Sequence, residues 1–246
     1  MKLIHKVEDC AVYKGNDSTY LLKIPSSAEL LRAIKDAGTI KHVKKSTNAS
    51  RTNDTLKFKA TQVESLKQFI EKMHDKNMDG LIYTLVLKLL ADVGTLLQYA
   101  MSEYGRAIPF FSLEDIIVIE NENETTAMAE PTFDFVFING EKMLQTSRET
   151  NTLRVDVPLQ VNKQTSFLPL ELDESELKHL PINVTTTTSW LYSLSSLCIY
   201  ALLNYKFKNG EDDIERIGRP FLHTSLYFCL KRCMKTKPEK RVLLYV

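Results

Sequence analysis

The sequence predicts an α+β fold, arranged as one large domain or as two small lobes. Three observations lead there. The first 60 residues alternate strand-like runs with one short helix. Two long stretches, 81–104 and 190–203, are apolar on nearly every helical face. Between them, apolar strands are separated by polar, turn-rich segments. Helices packed on antiparallel sheet bury such a mixture, and 246 residues are ample for a sizeable core.

In chain order, residues 2–24 read as strands. Cys10–Tyr13 and Thr19–Ile24 flank Gly15-Asn16-Asp17, a turn signal because Gly and Asn tolerate positive φ. Pro25 ends the second strand. Ser26 and Glu29 have capping-box spacing and open a helix through Leu30, Leu31 and Ile34 to Gly38. Ile40–Ser46 and Thr55–Lys59 read as two more strands. Over 61–78, Val63, Leu66, Phe69, Ile70 and Met73 have amphipathic helix spacing, broken at Asp79-Gly80.

From Leu81, Ile82, Leu85, Leu89, Val93, Leu96 and Ala100 line one helical face, while Leu87, Leu90, Leu97 and Met101 cover others. This predicts a helix buried nearly all round, ended at Gly105. Ile116–Ile119 and Thr132–Ile138 read as a buried hairpin. Residues 141–166 are polar, with one strand at Leu153–Val157. Trp190–Leu203 is a second buried helix, and Leu226, Cys229, Leu230 and Cys233 mark a last helical stripe.

Composition narrows the function. A net charge of +1 gives no global electrostatic case for nucleic acid or an anionic membrane. No apolar run reaches the ~18 uncharged residues of a membrane span, and MKLIHKVEDC lacks a signal-peptide core. The four cysteines, Cys10, Cys198, Cys229 and Cys233, are too scattered for a disulfide framework and read as core thiols. The expectation is an intracellular protein, cytoplasmic or nuclear, that binds other proteins and neither nucleic acid nor membrane.

Four stretches stand in order along nearly the whole chain: Tyr20-Leu21-Leu22-Lys23 on a strand; Glu114-Asp115 between a buried helix and an apolar strand; Ser193-Leu194-Ser195 on the second buried helix; and CMKTKPEKR, Cys233–Arg241, near the end. Together they resemble a divergent protein kinase, matching in turn V-A-I-K, the end of H-R-D-L-K-P-E-N, the D-x-W-S-L-G helix and the ending C-L-x-x-D-P-x-x-R. The resemblance implies a bilobal protein-kinase-like fold, with a reduced β-rich small lobe over 1–60. A mainly helical large lobe over 61–246 would carry a polar insertion at 141–189.

By the same resemblance, Lys23 takes the nucleotide-binding lysine position with Glu29 as its partner. Asp115 and Asn139 become an exchanged pair at the two metal-binding positions. Glu171 stands for the A-P-E glutamate and should form a buried ion pair with Arg241. Phe110 falls on the catalytic aspartate, and a phenyl ring neither accepts a proton nor holds Mg²⁺, so no catalytic residue is assigned. His5-Lys6-Val7-Glu8-Asp9 stands where a glycine-rich loop belongs, and bulky acidic residues oppose a phosphate there. The resemblance therefore implies a pseudokinase, a scaffolding or regulatory module without phosphotransfer, cofactor or metal. Weak ATP/Mg²⁺ binding through Lys23, Glu29, Asp115 and Asn139 stays open. So do two alternatives: a degenerate but active Ser/Thr kinase using Asp134 or Glu114, and a structural subunit whose cleft is filled by Phe110, Phe111 and Phe137.

Overall fold

The computed structural model describes residues 1–40, 54–75, 79–121, 132–147, 149–150, 152–156, 158–172, 181–209 and 211–243. The N-terminal part is a four-stranded antiparallel sheet of β1 (Lys2–Val7), β2 (Cys10–Lys14), β3 (Thr19–Lys23) and β4 (Thr55–Lys59), in that spatial order, with one helix, α1 (Ala28–Asp36). The strands alternate as half-buried strands must: Val12, Tyr20, Leu22, Leu56 and Phe58 are buried, while Lys23, Lys57 and Lys59 face out. Tyr20 and Phe58 are directly paired across β3 and β4, their rings stacked at 5.8 Å.

The cap of α1 is Ser27 rather than Ser26. Ser27 Oγ accepts from Leu30 N at 3.1 Å, and Ser26 Oγ donates instead to Asp9 Oδ1 at 3.0 Å, reaching the two-residue turn between β1 and β2. Gly38, at φ +66°, follows the helix end. The strand expected over Ile40–Ser46 lies outside the described residues from 41 onward.

The helix expected over 61–78 is shorter than its apolar spacing suggests. Gln62–Ser65 form β5, and α2 spans Leu66–Asp75. The boundary is set by a reciprocal cap, with Gln68 N donating to Ser65 Oγ (3.3 Å) and Ser65 N to Gln68 Oε1 (3.2 Å). The 26-residue α3 (Asp79–Tyr104) then runs to Gly105, at φ +59°. After it come β6 (Arg106–Ala107), β7 (Phe111–Ser112), β8 (Ile116–Asn121) and β9 (Thr132–Phe137). Strand β8 lies between β5 and β9 in an antiparallel sheet.

The polar stretch after β9 supplies three strands, β10 (Leu144–Ser147), β11 (Thr152–Val155) and β12 (Ser166–Phe167). β13 (Ile182–Thr185) then leads directly into α4 (Thr186–Leu203). One sheet has the order β13-β11-β10-β6, and β12 pairs with β7. Helices α5 (Ile214–Ile217) and α6 (Ser225–Cys233) complete the chain. The main apolar core runs from Cys10 and Val12 through α3 and α4 to Leu243, and all four cysteines are buried, free thiols.

By length and composition, Leu81–Tyr104 is apolar enough to cross a membrane. In this fold α3 packs against α1, β9 and α4. Two of its charges are engaged: Lys88 bonds Asp92 at 2.7 and 2.9 Å and stands 3.4 Å from Asp134 on β9, and Asp92 accepts from Phe135 N at 3.0 Å. Burial pushes the Asp92 carboxyl above its ordinary range, against the opposing pull of Lys88 and the Phe135 N–H.

The two parts of the fold meet at Gly140. A Cβ added there would stand 2.3 Å from Ser26 Oγ, 2.8 Å from Ile24 Cγ2 and 3.1 Å from Ser27 Cβ. Gly140→Ala is therefore expected to destabilise by about 2 kcal/mol, the scale of an overpacked core. Urea unfolding should show a lower midpoint at unchanged slope. An unchanged midpoint would mean that the two parts do not approach this closely.

Candidate functional site

The site is built where three local structures converge. After α3, the chain passes through Ile108-Pro109-Phe110 into β7, makes a tight helical turn at Leu113–Asp115, and enters β8. Ser112 closes that turn, its N–H donating to Asp115 Oδ2 at 2.7 Å. The end of β9 is held alongside by Ile138 N donating to the Asp115 carbonyl at 2.8 Å. That register brings Asn139 against Asp115, Nδ2 donating to Oδ1 at 2.7 Å.

A second tight turn, Gly140–Lys142, then folds Lys142 back under the same carboxylate. Its Nζ donates to Asp115 Oδ2 at 2.6 Å and to Ser112 Oγ at 2.9 Å, and lies 4.1 Å from the centre of the Phe110 ring. Asp115 is 1% exposed and Lys142 3%. Three donors thus neutralise one buried carboxylate, and an aromatic face covers the ammonium.

The structure brings together Asp115, Asn139 and Phe110 of the sequence-derived residues. It adds Lys142, which the sequence reading passed over as part of a polar stretch. The available signal was that a lysine follows Asn139 within the same turn.

Lys23 and Glu29 do not pair. Tyr20 and Leu22 take the buried face of β3, so the two-residue period turns Lys23 outward. Glu29, in the first turn of α1, stands 3.6 Å from Arg106 Nη2 instead. Phe110, Phe111 and Phe137 are fully buried. Phe111 and Phe137 pack edge to face at 5.7 Å in the main core, while Phe110 joins Ala107, Leu153, Val155 and Leu172. Asp134 is occupied by Asn121 Nδ2 (2.8 Å) as well as Lys88, and the Glu114 carbonyl accepts from His5 Nε2 at 2.8 Å.

The β1–β2 turn closes over this loop. Gly140 N donates to Cys10 Sγ at 3.4 Å, and Glu141 lies beside Glu8 and Asp9. Partial burial and the neighbouring charges of Glu8 and Asp9 push the Glu141 carboxyl above its ordinary range. Glu8, Asp9 and Glu141 thus bring three carboxylates close together at this turn. Asp115 offers a cation two oxygens already held by internal donors, and Mg²⁺ requires near-octahedral oxygen ligands. The residues present do not fit a magnesium–nucleotide complex.

Glu171 and Arg241 form a bidentate pair, with Nη1 donating to Oε1 at 2.6 Å and Nη2 to Oε2 at 2.8 Å. Arg241 Nε also donates to the Lys235 carbonyl (2.8 Å) and Nη1 to the Thr188 carbonyl (3.1 Å), while Ser189 Oγ donates to Glu171. The Arg241 side chain is fully buried and that of Glu171 20% exposed. Tyr192 stacks on the guanidinium at 4.9 Å, and burial pushes its phenol up to about 12.

In structure, the chain is similar to two kinase domains from Toxoplasma gondii. One is a rhoptry kinase, at a TM-score of 0.57 and 12% identity, covering 98% of this chain and 73% of that one. The other is a specific rhoptry antigen kinase domain, at a TM-score of 0.57 and 14% identity, covering 99% and 76%. No protein-family model matches the sequence, and no curated protein matches it significantly. The fold is protein-kinase-like.

Removing one partner of the C-terminal ion pair strands the other. Arg241→Met is expected to cost about 3 kcal/mol, because a partly buried carboxylate loses its counter-ion. Arg241→Met with Glu171→Gln should cost less than the sum of the two single changes. Additive losses in a double-mutant cycle by urea unfolding would show that the pair is not coupled.

Proposed function

We propose that this protein-kinase-like chain is a pseudokinase, a scaffolding or regulatory module that binds other proteins and transfers no phosphate. One observation carries the reading: the Lys142 ammonium sits in the Ser112–Asp115–Asn139 cage, where a kinase-like fold would place its metal, and Phe110 covers it. Phosphoryl transfer needs cradled phosphates, metal-bridged oxygens and an acid to receive the substrate proton. In this chain an acidic turn stands in place of the cradle, Lys142 in place of the metal, and a phenyl ring, which cannot take a proton, in place of the acceptor. Asp134, an acid that could have served in a degenerate kinase, is engaged on the α3 side with Lys88 and Asn121.

The test is thermal unfolding with millimolar ATP, with Mg²⁺ or with EDTA, beside an assay for transfer of the γ-phosphate to the chain itself and to a generic protein substrate. A ligand at about 100 times its dissociation constant stabilises by about 2.7 kcal/mol, readily seen in the midpoint. No Mg²⁺-dependent shift and no transfer are expected. A Mg²⁺-dependent shift accompanied by transfer would overturn the proposal. Independently, Lys142→Met is expected to destabilise by about 3–5 kcal/mol, since it leaves Asp115 buried without its cation. A neutral effect on the urea midpoint would remove the central role given to Lys142.

A further inference from the structure

The N-terminal sheet buries one face, with Val12, Tyr20, Leu22, Leu56 and Phe58, and turns the other outward. On the outward face the register sets Leu3, Tyr13, Leu21 and Lys57 in one row across all four strands. Lys6, Ala11, Lys23 and Thr55 form the row on one side of it, and Thr19 and Lys59 pair on the other side. Leu3 is 48% exposed, Tyr13 and Leu21 are half-buried, and all four lysines are exposed.

A plain two-residue period would put Leu3 and Lys6 on opposite faces. The register shift between Leu3 and His5 adds one residue to β1 and brings both to the outward face. His5 takes the inner face, where its Nε2 bonds the Glu114 carbonyl. The result is an apolar row three strands wide with cations along both flanks. None of the residues in these rows is acidic. Among the described residues, Lys6, Lys23, Lys57 and Lys59 make no ion pair. Lysines that only guard a sheet against edge pairing belong on edge strands, and Lys23 stands on an inner one.

Spacing and charge select the occupant. Neighbouring strands are ~4.8 Å apart, so the row from Leu3 to Leu21 is ~10 Å long. A helix covers that length in about seven residues, at ~1.5 Å each. Apolar side chains at i, i+3 or i+4, and i+7 then follow the row. An extended chain returns to one face only every ~7 Å and falls out of step. Acidic residues along both margins of the helix reach Lys6 and Lys23 on one flank and Lys59 on the other. A second copy of this face would set lysine against lysine. We propose that the outward face of the N-terminal sheet docks a short, acidic amphipathic helix of a partner protein. Docking of this kind rests on the scaffolding role and adds the partner's chemistry to it. The nucleotide and phosphate-transfer assays bear on that role; peptide binding bears on this face.

The probe is the end-blocked peptide EAELEAELAALEAEA, whose leucines have this spacing with glutamates on both margins. Its control carries Gln in place of each Glu. Binding to the full chain is followed by NMR line broadening of the peptide methyl groups. The acidic peptide should bind with a Kd of about 0.5 mM and the control at least fivefold more weakly. Lys57→Glu combined with Lys59→Glu should bring the ratio of the two affinities close to one. Leu3→Ser should weaken both peptides alike, with the urea midpoint unchanged. Loosening of the fold weakens both peptides together, so it cannot mimic the change of ratio. Equal binding of the two peptides, a ratio untouched by the lysine changes, or no binding of either at about 10 mM would overturn the docking site. Phosphatidylserine vesicles and an oligothymidylate are run alongside. Tighter binding of either, lost with the lysine changes, would also overturn it and give the face to a lipid surface or a nucleic acid.

Discussion

A carboxylate with no water around it must be neutralised within hydrogen-bond reach, and in this molecule Asp115 makes that demand. Much of the surrounding architecture answers it. The turn after β7 turns the Ser112 N–H toward it; the end of β9 delivers the Asn139 amide; the next turn returns Lys142 beneath it. These contributions come from two stretches of chain, one at Ser112–Asp115 and one at Asn139–Lys142, so the carboxylate fixes their mutual register. The turn that returns Lys142 begins at Gly140, and only a residue without a side chain lets the N-terminal sheet settle on that turn. The closeness of the two parts of the fold and the burial of the Lys142 ammonium are thus parts of one arrangement.

Helix α4 is the second anchor, and it works by a different physics. Ser193 Oγ accepts from Phe111 N at 2.7 Å and donates to the Phe167 carbonyl at 2.5 Å, so one buried hydroxyl ties β7 and β12 to the same helical turn. At its N-terminal end, the Glu171–Arg241 pair joins the segment before β13 to the end of the chain. Desolvating a guanidinium is tolerable here because both faces of the problem are met: its N–H groups reach carboxylate and carbonyl oxygens, and its plane lies on Tyr192. Trp190, also on this helix, is buried with the core.

The elements read from the sequence follow strong local signals: the apolar faces of α3 and α4, the β-branched run at Ile116–Ile119, and glycines at positive φ after α1 and α3. Where neighbouring signals competed, the boundary moved. Val63 fits a helical stripe and a strand equally, and pairing with Ile119 on β8 decides for the strand. Ser26 and Ser27 are both competent caps, and the pull of Asp9 on Ser26 leaves the helix to Ser27. Within the site, Asp115 and Asn139 were legible because each occupies a position with a recognisable pattern around it. Lys142 was not, since its neighbours Glu141 and Gln145 give the stretch the look of a solvated loop. Its burial depends on contacts 27 and 30 residues away in the chain, with Asp115 and Ser112. The Glu29–Arg106 contact was hidden for the same reason: one partner follows β3, the other follows α3.

A bound metal ion makes a loop's order conditional on what the surroundings contain, because the ion can be diluted, exchanged for another, or stripped by a chelator. Lys142 is attached to the backbone at fixed stoichiometry, so none of these can remove it. The same attachment means that the position cannot be loaded or emptied as a signal. A fold that supplies its own cation at Asp115 needs none from solution to hold that turn together.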